Sequence, residues 1–112
     1  MITIEGLRAF GAGVDEGLAR CMNNEAFYVR LVEKVLKDKG FDELDAAVAA
    51  HDTDAAFEAA HKLKGVLANL ALTPICEPVT QMVELLRSRT DTDYSQYMNR
   101  IKEKKAQLEG ML

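Results

Sequence analysis

The residue of this 112-residue chain best suited to chemistry is His61. It stands in the stretch AAHKLKGVLANL, Ala59 to Leu70, with Glu58 before it, Lys62 beside it, and Lys64 and Gly65 just after it. Around neutral pH an imidazole offers a nitrogen lone pair and is a competent nucleophile. Phosphorylating such a ring adds roughly two negative charges. Lys64 and Lys62 are spaced to offset that charge on one helix surface. Glu58, one helical turn earlier, is placed to accept a hydrogen bond from a ring nitrogen and so fix the tautomer.

The helical wheel decides where this ring points. With Leu63 as reference, Ala56, Ala59, Ala60, Val66, Leu67 and Leu70 fall within roughly 60°, which makes them the expected buried stripe. His61 falls about 160° away, on the side facing solvent. Gly65 is also about 160° off, from the other direction, so it neighbours His61 one turn on. Glycine inside a helix costs about 1 kcal/mol relative to alanine, and here it faces away from the core, so helix packing is not its purpose. Gly65 and Ala68 are expected to leave low ground where another protein can approach the imidazole closely. Phe57, about 120° from the core centre and one turn before His61, is read either as a docking residue or as a flank covered by the neighbouring helix.

The rest of the chain reads as the frame for this helix. Residues 3–10 and 14–22 form two short helices separated by Gly11 and Gly13. Asn24 caps a third helix carrying Phe27, Leu31 and Val35, and the DKGF stretch ends it with Gly40 in a left-handed position. A helix over 41–50 buries Leu44, Ala47 and Val48, and Asp52 or Thr53 opens the long helix to Leu70. Thr73 caps the next, with Pro74 at its first position and Pro78 bending its first turn. Asp91 or Thr92 opens the last, with Tyr94, Tyr97, Met98, Ile101 and Leu108 on one face. No segment alternates with a period of two, so no strand is expected. These elements predict an all-α fold: an antiparallel up-and-down four-helix bundle with additional short N-terminal helices, in a single domain over residues 1–112.

Composition narrows the function classes. The net charge is -4, whereas a nucleic-acid binder is usually basic on at least one face. The one concentrated basic stretch, Arg100, Lys102, Lys104 and Lys105, is interspersed with Glu103 and reads as a solvated helix surface. Cys21 and Cys76 lie far apart among apolar residues and read as reduced core side chains. No apolar run approaches the ~18 residues of a membrane span, and the opening MITIEGLRAFG is not read as a secretory leader. A cytoplasmic monomer is the expectation, and an initiating Met permits a free-standing chain.

The cluster AHKLKG, residues 60–65, resembles the histidine-containing phosphotransfer (HPt) family pattern of His, any residue, Leu, Lys, Gly. The long central helix and the ANLA that follows the motif agree with it. The resemblance implies a four-helix bundle that relays a phosphoryl group between receiver domains of a multistep two-component phosphorelay, with His61 as phospho-acceptor. It implies that Lys64 supports the phosphate and that Gly65 permits close docking. The implied partners are response-regulator receivers or a hybrid sensor histidine kinase. The acidic pocket and Mg²⁺ are expected on the receiver, with no cofactor or metal on this chain. The family often has Gly where Ala71 stands, and Pro78 is a less common choice in the following helix. No GxxxxGK[ST] loop is present, so ATP-dependent kinase activity is not expected.

Two other readings remain open in the sequence. Glu58 and His61 form a Glu-x-x-His pair of the kind that ligates di-iron sites in helix bundles, but such sites need a second pair and face inward. The stronger rival is a docking module whose exposed helix face, including Phe57, binds a receiver or other partner without phosphate chemistry. His51, near a helix end and ten residues from His61, reads as a solvated side chain.

Overall fold

The computed structural model describes all residues, 1–112, and every regular element in it is helical. Seven helices follow in order: α1 Ile4–Phe10, α2 Val14–Arg20, α3 Glu25–Val35, α4 Gly40–Ala49, α5 Thr53–Asn69, α6 Thr73–Arg87 and α7 Ser95–Glu109. Helix α5 lies between α4 and α6, and α6 packs on α7. The connections are short, and α4 packs on α5, which packs on α6 in turn.

Local chemistry explains most of the boundaries. The Thr3 hydroxyl accepts from the Gly6 N–H, and the Asn24 side chain from the Phe27 N–H. The Asp52 carboxylate accepts from the Ala55 N–H at 3.1 Å and so begins α5. Each supplies an acceptor to an amide that the first helical turn leaves without one. Gly11 closes α1 at φ 104°, a left-handed conformation that suits glycine.

One contiguous core of 27 buried residues runs from Ile2 to Leu108. It includes Leu63 and Leu67 of α5 and Ile75, Val79, Met82 and Val83 of α6, the helix packed against α5. Each fully buried side chain of this size contributes about 1.5–3 kcal/mol relative to an exposed one.

The structure corrects several expected details. Gly40 does not close α3 in a left-handed turn; α3 ends at Val35 with Leu36 right-handed, and Gly40 is the first residue of α4. The glycine sits at a close packing point instead. A Cβ there would lie 3.0 Å from Leu63 of α5 and 2.9 Å from the Asp38 carboxylate. Helix α2 stops at Arg20, short of 22, because Met22 and Asn23 adopt positive φ. Leu72, not Thr73, flanks the start of α6, and Pro74 sits within its first turn. The helix continues through Pro78, whose ring is buried, at the cost of one backbone bond to the carbonyl four residues earlier. Helix α7 starts at Ser95, later than the expected Asp91 or Thr92, where the Asp93 carboxylate accepts from the Ser95 N–H. Val48 and Cys76 are half-buried rather than fully interior.

The basic stretch of α7 is engaged within the chain. Lys102 pairs with Asp45 of α4 at 3.1 Å, Lys105 with Glu109, and Arg100 donates to Gln81 of α6. Both cysteines are free.

Candidate functional site

Helix α5 presents its apolar stripe inward through Ala56, Ala59, Ala60, Leu63 and Leu67. The opposite side is open to solvent, and His61 stands there, exposed, as the periodicity predicts. Lys62, Glu58, Gly65 and Ala68 line the same side of the helix. All four are exposed, while Lys64 and Phe57 are half-buried. Neither Lys62 nor Lys64 forms a salt bridge within the chain, so both ammonium groups are available to an anion. No group of three or more His, Cys, Asp or Glu side chains is placed to hold a metal ion.

Gly65 is the barest point of this surface. A Cβ built there meets no atom within 4 Å. No neighbour inside the fold packs closely on this position, in contrast to Gly40. The open ground continues into a cleft of about 740 Å³ between α3 and α5, lined by Leu31 and Val35 on one side and Gly65, Val66 and Leu70 on the other. Val66, expected in the buried stripe, is 40% exposed. It sits about 60° from the stripe's centre, where burial depends on a neighbouring helix closing over it, and α3 leaves this cleft open instead.

One expectation about the ring's neighbours also changes. Glu58 makes no hydrogen bond to His61. The group that contacts the imidazole is Phe57, whose ring stacks on it with centroids 5.6 Å apart and planes 22° apart. The Arg87 guanidinium of α6 lies 5.7 Å from the Phe57 centroid and is itself held by Glu84. The i,i+4 spacing of Phe57 and His61 carries this signal in the sequence. Arg87 carries none, since it reaches the site only through the packing of α6 on α5.

Arg20 is a second cation that sequence reasoning missed. From α2 it donates to the Ala68 and Asn69 carbonyl oxygens at 2.7 and 3.2 Å. These belong to the last turn of α5, whose carbonyls lack donors within the helix and favour a positive charge. The low ground beside His61 therefore ends at Ala68, where the Arg20 side chain leans across. Gly13 N–H donates to the Ala71 carbonyl and Tyr28 to the Leu70 carbonyl, so α5 is anchored at this end by both ends of α2 and by α3. Ala71 adopts φ 54°, which explains why glycine suits this position.

The chain is an all-helical module that presents an exposed histidine beside two lysines without salt-bridge partners on α5. A family model described as the Hpt domain matches residues 38–111, and the chain belongs to that family. No curated protein and no solved structure matches the chain. Hpt domains are phosphocarrier modules of signalling systems rather than kinases, and they interact with receiver domains and histidine kinases. The match begins after α3, so the helices that hold the far end of α5 lie outside it. No helix is long and apolar enough to cross a membrane.

Proposed function

We propose that this chain, as one domain over residues 1–112, relays a phosphoryl group between receiver domains by way of a phosphohistidine at His61. The helices α4 to α7 serve as an antiparallel four-helix bundle, with α1 to α3 closing one end. The observation that carries the reading is the exposed imidazole of α5 with open ground at Gly65 beside it.

The chemistry asks little of the carrier. A ring nitrogen lone pair attacks the phosphorus of an aspartyl phosphate on the receiver. An N–P bond forms, the P–O bond breaks, and its electron pair remains on the receiver's carboxylate. The reverse step passes the group to a second receiver. Such transfer depends on in-line positioning and charge stabilisation. His61 lies mid-helix, where no free backbone N–H groups point at a phosphate, so the chain itself grips the group weakly. Lys64 and Lys62 supply cations, and the receiver supplies the acidic pocket, Mg²⁺ and the acceptor. The chain needs no ATP site or cofactor of its own, and works as a cytoplasmic monomer.

The test is transfer of radiolabel from several receiver domains, each phosphorylated on its aspartate. Wild-type chain is expected to take label from at least one, and the His61→Gln variant from none. Equal labelling of that variant overturns the assignment. Stable receiver binding with no transfer to the wild type from any of the panel favours the docking-module reading instead.

A further inference from the structure

We infer that Phe57 is a positioning residue for His61: its stacked ring sets the plane of the imidazole, and Arg87 holds Phe57 in place from the neighbouring helix. The inference rests on the carrier reading above and adds to it how an exposed side chain on a smooth helix is kept ready for in-line attack.

Side chains on an α-helix lean toward its N-terminus, over the preceding turn. The His61 ring therefore leans toward Phe57 and away from Gly65. A Cβ at Gly65 would meet nothing within 4 Å, whereas on the Phe57 side the ring meets an aromatic face. The 5.6 Å separation and 22° tilt lie within the range of favourable offset stacking. No hydrogen bond ties either ring nitrogen to the chain, so the stack is the directional contact the imidazole makes.

A stack suits this task better than a hydrogen bond. The nucleophilic lone pair lies in the plane of the ring and points out from its edge. A neighbour on the flat face restricts rotation without covering that edge. A hydrogen-bonded partner such as Glu58 would occupy one of the two nitrogens.

Phe57 is firm enough to serve as the wall. It is half-buried and packed against the core. Arg87 sits 5.7 Å from its ring centroid, and Glu84 holds the guanidinium from one turn back on α6. The ring's pose is thus set by packing between α5 and α6, and His61 inherits it.

The test compares Phe57→Leu, which keeps apolar bulk without a ring, with Phe57→Tyr, which keeps the ring, and with Arg87→Gln. Thermal melts first establish that each variant is folded. Transfer is then measured from a receiver phosphorylated on its aspartate, across receiver concentrations. Phe57→Leu is expected to slow transfer at saturating receiver roughly 2- to 10-fold, with little change in the half-saturating concentration. Phe57→Tyr should restore the rate, and Arg87→Gln should fall between. Proton NMR supplies a readout that general stability does not move: ring-current shifts of the His61 ring protons should be lost in Phe57→Leu and kept in Phe57→Tyr. A Phe57→Leu variant that transfers at the wild-type saturating rate overturns the inference while leaving the carrier reading intact. So does a defect confined to the half-saturating concentration, or a Phe57→Tyr variant as slow as Phe57→Leu. If the wild type takes no label, the carrier reading itself fails and this role falls with it.

Discussion

The phenol hydroxyl of Tyr28 donates to the backbone carbonyl oxygen of Leu70 at 2.8 Å, joining α3 to the C-terminal end of α5. Tyr28 is fully buried, and the carbonyl it meets is among those that a helix end leaves without an internal donor. Replacing Tyr28 with Phe keeps the ring and removes only the donor. That variant is expected to lose about 1 kcal/mol, with a comparable denaturant m-value. Urea unfolding at neutral pH measures it, and an unchanged midpoint would show that the bond contributes nothing net.

The same residue gives the stability a pH dependence. Burial first, and the neighbouring Cys21 second, push the Tyr28 phenol above its ordinary value of 10.0. A proton held more tightly in the folded state stabilises it fully below the unfolded value. That contribution is lost as pH rises through the folded one. As pH rises above about 10 the wild type should therefore lose stability faster than Tyr28→Phe, which has no phenol to ionise. Parallel slopes for the two proteins would rule out this linkage.

Gly17 of α2 exists to admit that ring. A Cβ at this position would fall 2.6 Å from Tyr28 Cε1 and 2.7 Å from both Cζ and the hydroxyl oxygen. Alanine in a helix normally gains about 0.5–1 kcal/mol over glycine. Here overpacking against a buried aromatic costs about 1–3 kcal/mol, so Gly17→Ala should destabilise. Combined with Tyr28→Leu the added methyl should become neutral or favourable, since the two sites share one volume. Additive losses in that double variant would place the strain elsewhere.

The helices before residue 38 are part of the same core. Ile2, Leu7, Val14, Leu18, Cys21, Tyr28, Val32, Val35 and Leu36 supply nine of its 27 buried members. They also contribute Arg20 and Gly13 to the carbonyls at the end of α5. A chain reduced to residues 38–112 should therefore lose cooperative thermal unfolding, although it retains the whole stretch matched to the family. A sharp transition in that fragment at the wild-type temperature would show α1 to α3 to be dispensable.

The features readable in the sequence are those carried by one helix's own periodicity. His61 opposite Leu63, the Asp52 cap and the four-residue beat of the apolar positions need no knowledge of neighbours. The features that cannot be read depend on where another helix lies. Val66 is exposed because α3 stops short of covering it, and Gly40 packs closely against Leu63 of α5 rather than forming a turn. Arg20 reaches Ala68 across 48 residues of chain, a relation no local pattern encodes. The Phe57–His61 stack lies between these cases, because its spacing is visible while its geometry is set by α6.

Gly65 offers the sharpest separation of stability from function. With no atom within 4 Å of a methyl added there, alanine fits without displacing anything, and the helix gains up to about 1 kcal/mol. Gly65→Ala should therefore raise the melting temperature. The same methyl stands on the ground a receiver must approach to reach His61, one turn away, so transfer should weaken, with the half-saturating receiver concentration rising. Gly65→Gln, with a longer side chain, should deepen the transfer defect while the fold stays intact. Thermal melts and labelled-receiver titrations on the two variants read the two effects independently. A chain stabilised by Gly65→Ala and still transferring normally with Gln at the same position would mean that the bare helix surface has no part in docking. The glycine would then be a cost to the fold with no return in access.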